Sequence, residues 1–184
     1  MEKTPSGMQA KVLEGIKWEA IVWFVGLMLV ASVLPRFVHN QFITGPIINA
    51  TLFLAAAILG SGPAILIGLV PSVVALSSGL LPAPLAPMVP FIMISNAILI
   101  LVFAWVKKIN FGAGAVVAAF AKYAFLYATV TFVTKLISNH SIAAKAAATM
   151  MAWPQLMTAL VGAIIAFGIL KVIKKYENNQ TSTN

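Results

Sequence analysis

One lysine of this chain stands where a lysine is costly. Lys122 falls near the middle of an apolar stretch running from about Phe111 to Leu136. As a membrane-crossing helix, that stretch places it on the order of 16 Å deep at about 1.5 Å rise per residue. A charge at such depth costs several kcal/mol unless it is paired or reaches water. The chain supplies no internal counter-charge. It has no aspartate, and Glu2, Glu14, Glu19 and Glu177 all lie in terminal segments or at the entrance of the first apolar run. Lys122 must snorkel, be neutral or find a partner elsewhere: an anionic group on a bound ligand, carbonyls or water inside a helix bundle, or a carboxylate from a partner subunit. The first of these partners makes it a basic binding site.

Other polar residues fall inside apolar runs. Asn49 and Asn96 open the similar stretches Asn49-Ala50-Thr51-Leu52 and Asn96-Ala97-Ile98-Leu99, each a few turns inside its run. Two parallel helices would carry these amides to similar depth, for ligand contact or for interhelical hydrogen bonding. Tyr123 and Tyr127 follow Lys122 and serve either binding or packing. Gln155 lies beside Trp153 and Pro154 at the start of the last run. A tryptophan there suits an interfacial belt, and a proline frees a carbonyl to line a cavity. Depth alone lets Asn49, Asn96, Lys122, Tyr123, Trp153 and Gln155 form one ligand-binding set in the outer half of a bundle.

Much other chemistry is excluded by residue type. With no cysteine there is no disulfide, thiolate metal site or cysteine nucleophile. No membrane carboxylate is left to relay protons, hold Mg²⁺ or act as a general base, and His39 and His140 fall in loops. No catalytic group, metal site or cofactor is therefore expected. No glycine-rich nucleotide loop ending in lysine occurs, so any ATP-driven role needs separate subunits. The net charge of +8 sits at the ends of apolar runs, which marks topology rather than nucleic-acid binding.

The elements that position these residues follow from composition. Of 184 residues, 61% are hydrophobic and 9% charged, where a soluble domain carries roughly 25% charge. Lipid must solvate most of the surface. A spanning helix needs about 20 apolar residues, and six candidates occur: 16–34, 43–59, 64–81, 88–106, 111–136 and 150–172. Pro35-Arg36 ends the first, Gly60-Ser61-Gly62-Pro63 breaks the second from the third, and Pro82, Pro84, Pro87 and Pro90 interrupt the chain before the fourth. The expected fold is an all-α membrane protein, a compact bundle of about six transmembrane helices over residues 16–175. Residues 1–15 form an N-terminal segment, and 176–184 a polar, disordered tail. No cleaved signal peptide is expected. Lys3, Lys11, Lys17, Lys107, Lys108, Lys171, Lys174 and Lys175 flank one side, against Arg36, Lys135 and Lys145 on the other. The positive-inside rule then puts both termini in the cytoplasm.

Small residues recur every four positions at Ala64/Gly68/Ser72, Ala75/Gly79, Ala115/Ala119, Ala124/Ala128 and Ala159/Ala163. Such ridges suit close helix contact, within the bundle or against a partner. Two stretches, Thr44-Gly45-Pro46-Ile47-Ile48-Asn49-Ala50 and Leu81-Pro82-Ala83-Pro84-Leu85-Ala86-Pro87, carry a resemblance to the S components of energy-coupling factor (ECF) transporters. These are substrate-binding membrane subunits, and the resemblance extends over nearly the whole chain. It implies a multi-pass protein of a prokaryotic cell membrane, with a small vitamin-like solute held near the outer face under loop lids. It further implies a transmembrane scaffold subunit and two cytoplasmic ATPase subunits as partners. The first span departs from that family, whose members dock through an alanine-x-x-x-alanine ridge; Ala20, Gly26, Ala31 and Ser32 are never four apart. Capture of a vitamin-like or anionic solute is thus one expectation. An autonomous channel with Lys122 lining an anion path is a second, and a membrane enzyme a third.

Overall fold

The computed structural model of the protein describes residues 18–137 and 153–181. Six α-helices account for most of them: α1 (Trp18–Phe37), α2 (Gln41–Ile58), α3 (Ser61–Ser77), α4 (Val89–Val106), α5 (Phe111–Ile137) and α6 (Trp153–Thr181). A 3₁₀ helix, Ala83–Met88, precedes α4. There is no strand among the described residues. Five of the six helices are long and apolar enough to cross a membrane, which fits a membrane-embedded protein.

The exception is α3. Its 17 residues span about 26 Å at 1.5 Å per residue, short of a bilayer core of about 30 Å. The expected run to Leu81 is cut at Ser77 because Gly79 takes a φ of 81°, a left-handed conformation that ends helices. The Gly79 amide then donates to the Leu76 carbonyl, and the Leu81 amide to that of Ala75. The prolines that follow build the 3₁₀ turn rather than a loop without structure.

Other boundaries moved outward. Pro35 lies inside the last turn of α1, which continues to Phe37; so near a helix end, one missing amide disturbs little. The tail expected to be disordered from Tyr176 is helical as far as Thr181. The backbone hydrogen bonds of α6 simply continue past its apolar part. The expected start of the sixth span at Met150, the outer loop with His140 and Lys145, and the N-terminal segment lie outside the described residues.

The helices form a closed ring in the order α1, α3, α4, α5, α6, α2, and α2 also touches α3 and α4. Ile48 through Ala56 of α2 are buried without a break, the mark of a helix enclosed on all sides. By contrast, α1 buries only Leu27, Ala31 and Pro35. Large apolar side chains such as Val22, Leu29, Phe120, Phe132 and Ile164 face outward, as a lipid solvent allows.

Two apolar clusters fill the interior. One lies toward the end where α1 begins and α6 finishes. There Phe53, Phe103, Phe111 and Phe167 join four helices, with ring centroids 4.9, 5.1 and 5.2 Å apart in succession. Lys107, Lys108, Lys171, Lys174 and Lys175 also gather at this basic end. Lys107 donates to the carbonyl of Ala56, capping the last turn of α2, where a cation offsets the helix dipole. Partial burial lowers its pKa from the ordinary 10.5. The other cluster, around Leu81, Leu85, Met88, Leu126 and Val130, lies toward the opposite end. A polar layer separates them.

Candidate functional site

That layer is built on Lys122, which is 3% exposed. On α5 it comes between Ala118 and Ala119 of one cluster and Leu126 of the other. Its Nζ donates to Asn49 Oδ1 and to Asn96 Oδ1, both at 2.8 Å. The two amides expected at similar depth thus meet at one nitrogen.

Each amide is aimed by its other end. Asn96 Nδ2 donates to the Gly68 carbonyl at 2.8 Å, across to α3. Asn49 Nδ2 donates to the Gly45 carbonyl at 2.9 Å, one turn back in α2, and to Thr158 Oγ1 on α6 at 3.4 Å. Both amide oxygens are therefore turned to the lysine nitrogen. With Lys122 protonated these bonds are charge-assisted, about twice as strong as neutral ones. Every buried side-chain N or O among the described residues has a hydrogen-bond partner, as a low-dielectric interior requires.

Glycines make the geometry possible. A Cβ on Gly162 of α6 would stand 2.7 Å from the Pro46 carbonyl oxygen and 2.8 Å from both the Ala50 nitrogen and Asn49 Cβ. One on Gly45 would stand 2.8 Å from Thr158 Cγ2. The α2–α6 crossing, and with it the position of Asn49, needs hydrogen at both. The Ala64/Gly68/Ser72 ridge of α3 is likewise buried inside the bundle, so this ridge packs helices together. The Ala124 and Ala128 pair instead faces outward.

Beside the polar layer lies a partly open cavity of about 110 Å³. For comparison, an engineered apolar cavity of about 150 Å³ takes up benzene. Lys122, Asn49 and Asn96 line it, with Thr44, Ser72 and Gln155 as further polar walls and Pro35, Pro71, Ile48 and Ile92 as apolar ones. Gln41, Leu80 and Leu81 also contribute, which puts the cavity toward the end opposite the lysine-rich one. Here the α1–α2 and α3–3₁₀ connections are tied together. His39 Nε2 lies 2.8 Å from the Ser78 carbonyl, and Ser78 Oγ donates to the Pro35 carbonyl at 2.8 Å. Beyond the polar layer toward the basic end, Leu52, Phe53, Leu99, Ile100 and Phe103 are fully buried. None of these five residues lines the cavity.

Of the residues singled out in the sequence, Asn49, Asn96, Lys122 and Gln155 line this space, and Tyr123 and Trp153 do not. Tyr123 is partly buried against Tyr127, the rings 5.9 Å apart. Trp153 is 57% exposed and stacks near Phe42 at 6.0 Å, a belt position. Pro154 is the second residue of α6, where no amide is needed, so it opens no carbonyl in the described part of that helix. Sequence reading missed Thr44, Ser72 and Pro71 as lining residues and Thr158 and Gly162 as supports. Ser72 carried a signal in its four-residue spacing; Gly162 and Thr158 carried none. Among the described residues, no three His, Cys, Asp or Glu side chains group to hold a metal. No family model, curated relative or solved structure matches this chain.

Proposed function

We propose that this chain is a substrate-capture subunit of a membrane importer of the ECF type, taking a small solute into the Lys122 cavity from outside. The observation that carries this reading is a cavity lined by a buried lysine whose nitrogen is held by two oriented amides. A through-channel needs a continuous path, and the full burial of Phe53, Leu99, Ile100 and Phe103 argues against one. The lysine-rich end is assigned to the cytoplasm by the positive-inside rule, which turns the cavity mouth outward. The four glutamates lie in terminal segments or at the entrance of the first span, and the sequence has no nucleotide-binding loop to drive transport. Energy must then come from partners, a membrane scaffold with two ATPase subunits in this reading.

The test is mass spectrometry of what the purified protein releases on denaturation. Wild type is expected to release a small solute, and Ala75→Leu, which narrows the cavity at its wall, to release less, with thermal melting showing that the variant is folded. Copurification with a scaffold and ATPases is the companion result. Solute flux into liposomes holding this chain alone, without ATP, would sink the proposal in favour of a facilitator.

A further inference from the structure

The donors facing the cavity define what it can hold. Both amide N–H groups of Asn49 are committed, to the Gly45 carbonyl and Thr158 Oγ1, and one of Asn96 is committed to the Gly68 carbonyl. The Thr44 hydroxyl is committed to the Val38 carbonyl at 2.8 Å. Lys122 spends two of its three ammonium donors on the asparagine oxygens. Its third is the one charged donor among the lining residues. Ser72 also lines the cavity, and its hydroxyl reaches the Leu69 carbonyl at 3.4 Å, the long limit of a hydrogen bond. It turns to a ligand at little cost.

We propose, resting on the capture reading above, that the cavity selects a compact monocarboxylate whose oxygens accept from Lys122 Nζ and Ser72 Oγ, with its apolar body against Ile48, Ile92 and Pro71. The charge balance argues for one negative charge and no positive one. A monocarboxylate matches the single cationic side chain among the lining residues. A dianion leaves an unpaired negative charge in a low-dielectric site, and a zwitterion brings an ammonium to a cavity with no carboxylate to receive it. A neutral amide leaves Lys122 without its counter-charge. The cavity volume of about 110 Å³ limits the buried part to a short chain or one small ring.

Four probes with matched carbon chains test this by ligand-observed NMR on the purified full chain: butyrate, butyramide, succinate and 4-aminobutyrate. Butyrate is expected to bind at least about tenfold tighter than the other three, the worth of one charge-assisted hydrogen bond. Lys122→Met is expected to remove the difference between butyrate and butyramide. If that variant fails to fold, the wild-type ranking decides alone. Butyramide binding as well as butyrate, or succinate binding better, overturns the inference and leaves capture of another solute class standing. Failure of all four to bind also overturns it, and the released-solute measurement then judges the capture reading separately.

Discussion

Lys122 and Asn96 offer a quantitative test of the polar layer through a double-mutant cycle of Lys122→Met and Asn96→Ala. Their 2.8 Å bond joins a buried ammonium to a buried amide oxygen. Hydrogen bonds to charged groups contribute about 1.5–3 kcal/mol net. Asn96→Ala removes that bond, removes the tie to Gly68 and opens a small void. Lys122→Met relieves the burial of a charge but leaves two amide oxygens without a donor, each at about 1–3 kcal/mol. These side effects make either single value hard to read. The void and the lost Gly68 contact are common to both backgrounds, so they cancel in the cycle. The expected coupling is about 1.5–3 kcal/mol, with Asn96→Ala costing less when Lys122 is already gone. Reversible unfolding in mixed micelles under increasing dodecyl sulfate, followed by far-UV circular dichroism, gives the four free energies. Additivity within about 0.5 kcal/mol would refute the bond and the oriented layer built on it.

Two further predictions concern the contacts of α2. Gly162→Ala is expected to destabilise the protein by at least about 1–3 kcal/mol, because the new methyl meets backbone atoms of α2 that cannot turn aside. Gly168→Ala, with open space at its Cβ, serves as the control, and thermal melting in detergent reads both. For Lys107, burial lowers the folded-state pKa below its ordinary 10.5. Between the two values the unfolded chain holds the proton and the folded one has lost it, so stability rises with pH across that window. Lys107→Met is expected to flatten that rise in melts recorded up to pH 10.5. An unchanged slope would show that the lysine is solvated in the folded state.

Composition and run length were enough to set the solvent, the helical class and the approximate spans, because a chain with 9% charge cannot cover a water-facing globule. They also isolated Lys122, since a lone cation without an internal carboxylate is conspicuous by type and depth. The repeat of Asn-Ala at two similar depths pointed to Asn49 and Asn96. Depth, however, is one coordinate. Rotation about each helix axis separates Lys122, which faces the cavity, from its neighbour Tyr123, which does not line it. Likewise it places Gln155 at the wall and Trp153 near Phe42.

Only tertiary packing settles that rotation. The close α2–α6 approach at Gly45, Thr158 and Gly162 turns Asn49 inward, and the Gly68 carbonyl does the same for Asn96. Helix ends were equally a matter of backbone geometry: the left-handed Gly79 shortened α3, and continued hydrogen bonding carried α6 to Thr181. The sequence alone determined that one buried lysine needs partners. Because those partners lie 73 and 26 residues away along the chain, the folded bundle had to decide which atoms they are.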